Sequence, residues 1–190
     1  MITFLTQFIV LTQVFAQDPI LPTSEDGRYT FSDVIALNGF SEFQLFRNAE
    51  KYCEDRFGKK NIFKADEAQG VIEAEYDFYV YKKGSLGKYV DGTIECKVSI
   101  EVKEGKYRYI ITDFYFQEYE RNRYGKFVPT KGKGRALETP SSKLNAGQWE
   151  AHKKKTLERI EALIPELQLN MQFIPSEKKE QKKTKIEENW

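Results

Sequence analysis

The sequence predicts an α+β domain: one antiparallel sheet of about five strands with two helices on one face, in the order β-α-β-β-β-β-α. Three observations predict it. Residues 71–81 and 93–103 alternate apolar and polar side chains with period two, the mark of half-buried antiparallel strands. Residues 41–57 and 149–163 each carry one apolar stripe at three- and four-residue steps, the mark of helices lying on a sheet. Glu104-Gly105-Lys106 joins two strand-like runs as a hairpin turn.

The chain opens on MITFLTQFIVLTQVFA, residues 1–16, with no charged side chain and Val14-Phe15-Ala16 at its end. It is too short to span a bilayer, which takes about 20 apolar residues. It reads as a secretory signal cut after Ala16, although the amino terminus is its only positive group. The mature chain is therefore expected outside the cytoplasm, in the periplasm or beyond. No later segment is long and apolar enough to be a transmembrane helix. Residues 17–27 hold Pro19, Pro22, Ser24, Asp26 and Gly27 and read as a linker.

The domain itself is expected over residues 28–165. Residues 28–37 form a first strand with Phe31, Ile35 and Leu37 on one face, stopped by Asn38-Gly39. Ser41 with Gln44 three residues on is a capping-box pattern, and Gly58 is a stop. Between them Phe43, Phe46, Ala49, Cys53 and Phe57 make the stripe. Residues 61–65 are a short strand. In 71–81, Ile72, Ala74, Tyr76, Phe78 and Val80 face one side. In 93–103, Ile94, Cys96, Val98, Ile100 and Val102 face in, while Glu95, Lys97, Ser99, Glu101 and Lys103 face out. Residues 107–117 are a strand with aromatics on both faces. Ile110, Phe114 and Phe116 compete with Tyr109, Ile111 and Tyr115 for the core, and the sequence leaves both sets open. Residues 118–147 form a long basic loop, more than a compact domain usually tolerates without structure. They are either a mobile functional loop or an edge hairpin. The second helix places Trp149, His152, Thr156, Ile160 and Leu163 on one stripe, and Pro165 ends or kinks it. Residues 166–190 form a charged C-terminal tail.

Composition excludes several classes. Hydrophobic residues make up 40% and aromatic residues 14%, too many for a disordered chain. Thirty basic residues against 29 acidic leave a net charge of +1. That gives no overall field to draw in nucleic acid, and no nucleic-acid partner is expected. Cys53, Cys96 and the single His152 show no metal-ligand spacing, so neither a metal nor a cofactor is expected. Cys53 and Cys96 both point inward and are a candidate disulfide in an oxidising compartment, with two buried free thiols as the other reading.

No motif rises to a reaction. His152 reads as a histidine at the edge of the helix–sheet core, since an enzyme would need a nucleophile or carboxylate beside it. Glu73, Glu75 and Asp77 line the outer side of one strand. They are candidate acid–base carboxylates, but Lys97 and Lys103 stand next to them as salt partners. Tyr79, Tyr109 and Tyr115 are candidates for a binding surface on an uncovered sheet face, because tyrosine offers area at low entropic cost. Lys126, Lys131, Lys133 and Arg135, interleaved with aromatics, are candidates for gripping an acidic ligand.

Three stretches carry a resemblance: YTFSDVIALNGFS entering the first helix, GVIEAEYDFYVY, and KVSIEVKEGKYRYIITDF, whose KEGKYRYIITDF piece is the most specific. Over residues 27–116 they resemble a family of secreted bacterial domains of unknown function with a TATA-binding-protein-like (TBP-like) fold. The resemblance implies that fold, with the helix from Trp149 as the closing helix. It brings no activity, and the fold name implies nothing about DNA. The reading is an exported, non-enzymatic binding module of the bacterial cell envelope, with an envelope protein or glycan as partner. The alternatives are a small hydrolase or carbohydrate-active domain using Glu73, Glu75 or Asp77, and a structural domain that assembles with itself.

Overall fold

A computed structural model describes residues 21–84, 87–132, 134–141 and 145–173. The expected signal segment, the first residues of the expected linker, Lys133 and the expected tail from residue 174 lie outside the described residues.

The elements in chain order are β1 (Phe31–Ala36), α1 (Glu42–Phe57), β2 (Ile62–Asp66), β3 (Val71–Gly84), β4 (Gly87–Lys103), β5 (Lys106–Arg121), β6 (Phe127–Pro129), β7 (Arg135–Ala136) and α2 (Ala146–Met171). The described sheet runs β1-β5-β4-β3-β2, all neighbours antiparallel, with β6 and β7 also pairing on β5. The architecture is the expected one, with seven strands rather than five. The two extra strands come from residues 118–147, expected as a mobile loop or an edge hairpin. Tyr119–Arg121 of β5 pairs with β6 across an Asn122–Gly125 turn, and Tyr115–Phe116 pairs with β7. One edge of β5 is thus taken by β1 in its first half and by β7 and β6 in its second.

The local chemistry sets the helices. Ser41 Oγ accepts from the Gln44 amide at 3.2 Å, and the Gln44 side chain accepts from the Ser41 amide at 3.0 Å, closing the capping box. Leu45, Phe46, Ala49, Tyr52, Cys53 and Phe57 bury one face of α1, whereas Phe43, expected in that stripe, is exposed. Helix α2 buries Trp149, His152, Thr156, Ile160 and Leu163 as expected. It does not end at Pro165 but continues through Leu167 to Met171, both buried. Pro165 costs the Glu161 carbonyl its partner, and the packing of the last two turns outweighs that loss. Asn48 then ties the helices together: its buried amide donates to the Met171 and Phe173 carbonyls at 3.0 and 2.8 Å, pairing carbonyls that a helix end leaves without partners.

Ile94, Val98 and Val102 are almost wholly buried under the helices, while Glu95 and Lys97 keep contact with solvent. Each such aliphatic side chain contributes roughly 1.5–3 kcal/mol. The described end of the presumed linker is also part of the fold. Leu21 is buried in the core and Thr23 bridges to Tyr29.

Three bulges break the sheet's regular register, and each re-aims a side chain. On β2 the extra residue is Phe63, which ends up exposed. On β4 it is Asp91, set between the Val80–Gly92 and Tyr81–Val90 pairs. On β5, Asp113 and Phe114 together oppose Cys96, and Asp113 takes the left-handed conformation at φ 58°. That last bulge settles which face of β5 is buried. Before it the odd residues Tyr107, Tyr109 and Ile111 face the helices. After it Phe114, fully buried, and the partly buried Phe116 do. Both sets are core, each on its own side of Asp113.

Candidate functional site

The β4 bulge turns the Asp91 carboxylate under α2. Asp91 is 4% exposed and His152 is 2% exposed. His152 Nε2 lies 2.9 Å from Asp91 Oδ2, and Lys82 Nζ lies 2.5 Å from Asp91 Oδ1. An ionised carboxylate only accepts, so Nε2 carries the proton, and in the neutral ring Nδ1 is the acceptor. Burial pushes Asp91 up, but the hydrogen bonds from His152 and Lys82 outweigh it and hold the carboxyl below its usual range. The same hydrogen bond raises Lys82.

The ring of His152 is held by two aromatic neighbours, and its backbone by a third side chain. It stacks on Phe116 at 4.7 Å between centroids, and Trp149 meets its edge. Thr156 Oγ donates to the His152 carbonyl at 3.0 Å. Trp149 in turn donates its indole N–H to the Leu137 carbonyl, and the Arg135 guanidinium lies over the indole at 3.7 Å. Gly92, beside the bulge, has no room for a side chain. A Cβ there would run into the Gln117 carbonyl and lie 2.6 Å from the Phe116 ring. The close strand approach that puts Phe116 against His152 therefore depends on glycine. These groups floor a cleft of ≈350 Å3, open to solvent, with Lys83, Gln117, Glu118 and Gln148 on its walls.

The opposite face of the sheet bears Tyr79 and Tyr115, both exposed. Tyr79 meets Tyr119 edge-on at 6.0 Å. Phe63, thrown outward by its bulge, borders a shallow hollow of ≈260 Å3 with Glu75, Glu95, Lys97 and Tyr115. Glu73 is held by Lys97 at 3.0 Å. Burial raises Glu95, and the charges of Glu75 and Asp77 add to it. Among the described residues no group of three His, Cys, Asp or Glu side chains is placed to hold a metal. No helix described is long and apolar enough to cross a membrane.

Several expected site residues move. Tyr109 does not join Tyr79 and Tyr115: it is 5% exposed and faces the helices, because it precedes the Asp113 bulge. The described basic residues fall on different elements. Lys126 sits in the β5–β6 turn and Lys131 is exposed beyond β6, while Arg135 lines the cleft. The bridge between Cys53 and Cys96 does not form. Both are buried free thiols, and burial pushes Cys53 up to about 12 and raises Cys96 as well. Asp91 and Lys82 were missed altogether. The available signal was Asp91-Gly92 inside a strand-like run, where an Asp-Gly pair marks a break in the ladder.

The fold and the matched sequence agree with a known family. Residues 31–117 match the family described as a domain of unknown function (DUF4468) with TBP-like fold. Two crystal structures have a similar fold. One is a TBP-like protein from Parabacteroides distasonis ATCC 8503, 14% identical with a TM-score of 0.57, covering 80% of this chain and 97% of that one. The other is a DUF4468 family protein from Bacteroides ovatus ATCC 8483, 16% identical with a TM-score of 0.56, covering 81% and 91%. No curated protein matches the sequence. The DUF4468 match ends within β5, so the cleft is built from both sides of that boundary. Lys82, Asp91 and Phe116 lie inside the matched residues, and Arg135, Trp149 and His152 lie beyond them.

Proposed function

We propose that this chain is an exported, non-enzymatic binding module of the bacterial cell envelope that holds an envelope protein or glycan on the outer face of its sheet. The observation that carries this reading is the set of exposed aromatics Phe63, Tyr79, Tyr81 and Tyr115 on that face, opposite the helices. Aromatic side chains are wasted on a solvated surface but suit a binding one, because they contribute large area with little rotamer entropy. A paired sheet holds them in place, so little ordering is lost on binding. The signal segment at residues 1–16 is the basis for export. The hydrolase reading draws less support, since Glu73 is already engaged by Lys97 and its neighbours line an open, shallow surface.

The test is capture from an envelope extract by the immobilised chain, compared with Tyr79→Ala/Tyr115→Ala. Loss of the captured partner at an unchanged melting temperature is expected. Equal capture by both forms removes the outer face as the binding site.

A further inference from the structure

A second site, independent of the outer face, lies in the cleft under α2. Its charges are divided unequally. Asp91 is already matched by Lys82 and His152. Arg135 and Lys83 have no carboxylate partner among the described residues, and Arg135 spends only its π-face on Trp149. A stacked guanidinium keeps its N–H fork for a planar two-oxygen anion. Glu118, which also faces the cleft, sets the limit. Two unmatched cations against one unmatched carboxylate favour a ligand with a single negative charge over a dianion. The rest of the wall is amide rather than apolar. Gln117 and Gln148 already donate amide N–H groups to Thr130 and to the Tyr81 carbonyl, which leaves their oxygens as acceptors, and the Glu118 carboxylate also accepts from hydroxyls. At ≈350 Å3 the cleft is at the small end of ligand pockets, the size of a single sugar ring.

We propose that the cleft binds a small polyhydroxylated carboxylate, a sugar acid of one ring, with Arg135 holding the carboxylate and the amides reading the hydroxyls. The Lys82–Asp91–His152 cluster, with Asp91 and His152 buried, is the rigid floor that keeps the site open and polar. It is not consumed in binding.

The molecule supplies its own reporter. His152 is the only histidine in the chain, so its imidazole gives one set of NMR signals from the floor of the cleft. Titration of the full chain with D-glucuronate at fixed pH is expected to move those signals saturably, with a Kd on the order of 1 mM. D-Glucose, the neutral ring of similar size, is expected to leave them unmoved. Arg135→Gln should weaken glucuronate binding about tenfold or more, the loss of a charge-assisted pair. Lys131→Gln, outside the cleft, should not weaken it. Because Arg135 is exposed, an unchanged His152 spectrum in the free variant checks that the floor is intact. The proposal fails if glucuronate gives no saturable shift, or if glucose shifts the signals equally. It fails also if inorganic phosphate binds as tightly, or if Arg135→Gln retains full affinity.

Discussion

The outer face of the sheet and the cleft beneath α2 are built on the same strands, β3, β4 and β5, yet they handle charge in opposite ways. Outside, Glu73 and Lys97 meet across β3 and β4 with 22% and 37% of their side chains exposed. Inside, Asp91 and His152 meet with 5% and 3% exposed. The outer pair keeps much of its hydration and contributes little net energy. The inner pair has given hydration up, so each member depends on the others being present. The difference arises from register. The outer pair sits where the β3–β4 ladder is regular. The inner one exists because a bulge inserts Asp91 and turns it toward the helices. On these strands the regular β3–β4 ladder makes an open surface, and the Asp91 bulge makes the enclosed site.

A direct way to probe that contrast is to remove a bulge. Deleting Asp113 leaves one β5 residue opposite Cys96 and puts the odd residues before it and the even residues after it into one regular alternation. Tyr107, Tyr109, Ile111, Phe114 and Phe116 then all still face the helices. We expect the deletion variant to keep a cooperative unfolding transition by circular dichroism. Asp113→Gly is the control. It keeps the left-handed residue without strain and loses only the half-exposed pair with Arg28, so its stability should stay within about 1 kcal/mol of the parent. A deletion variant with no cooperative transition would mean that the two core sets are not joined by that one extra residue.

The largest effect is expected at the inner charge. Asp91→Ala leaves a buried imidazole and a half-buried ammonium without their acceptor, and should cost about 3 kcal/mol in urea unfolding. The pH dependence has a defined sign. Asp91 titrates lower in the folded chain than its unfolded value near 3.8, because the His152 and Lys82 hydrogen bonds overcome its burial. The folded state therefore binds fewer protons in that range. The stability contributed by the ionised Asp91 is complete above about pH 4 and falls away as the pH drops through the lowered folded value. The gap between the parent and Asp91→Asn should narrow below pH 4. A gap that stays constant down to pH 3 would mean that the carboxylate charge is not what His152 and Lys82 stabilise.

These sites also mark where the sequence could be read and where it could not. The alternation of 71–81 and 93–103 and the capping box at Ser41 predict β3, β4 and α1 directly, because period and cap chemistry are local properties. The matching stripe on 149–163 predicts the buried face of α2 in the same way. Periodicity fails wherever a residue is inserted. It placed Tyr109 beside Tyr115 because it could not count Asp113 as a step. It gave His152 no partner because Asp91 lies 61 residues away and reaches it only through a bulge. Pro165 reads as an end or a kink because a lost hydrogen bond is local, whereas the packing of Leu167 and Met171 that carries the helix past it is not. The long basic loop folded into β6 and β7 because β5 extends past the sheet body and offers an open edge, a tertiary fact with no local signature.

Gly92 sharpens the comparison at the level of packing. It stands on the inner side of β4 next to the bulge, and a methyl group there meets strand backbone and the Phe116 ring rather than a flexible side-chain end. Gly92→Ala should cost about 2 kcal/mol, within the range for overpacking a tight site. It should also displace Phe116 from His152, read as a change in the ring-current shift of the single imidazole. If the alanine variant keeps both its stability and its imidazole shift, the strand approach does not set the cleft floor.

The smallest effect belongs to the outer pair and serves as the reference for the others. Glu73→Gln removes one charge of a cross-strand pair whose members both reach water, so the cost should be below about 1 kcal/mol. Added salt should reduce that cost, since exposed charges are screened at ~10 Å in 0.1 M salt, while the cost of Asp91→Ala should barely respond. The ratio of the two penalties, followed against ionic strength, measures the difference between the faces without depending on either absolute value. If Glu73→Gln proved as costly as Asp91→Ala and equally insensitive to salt, the outer pair would be as dehydrated as the inner one. That face would then be covered in solution.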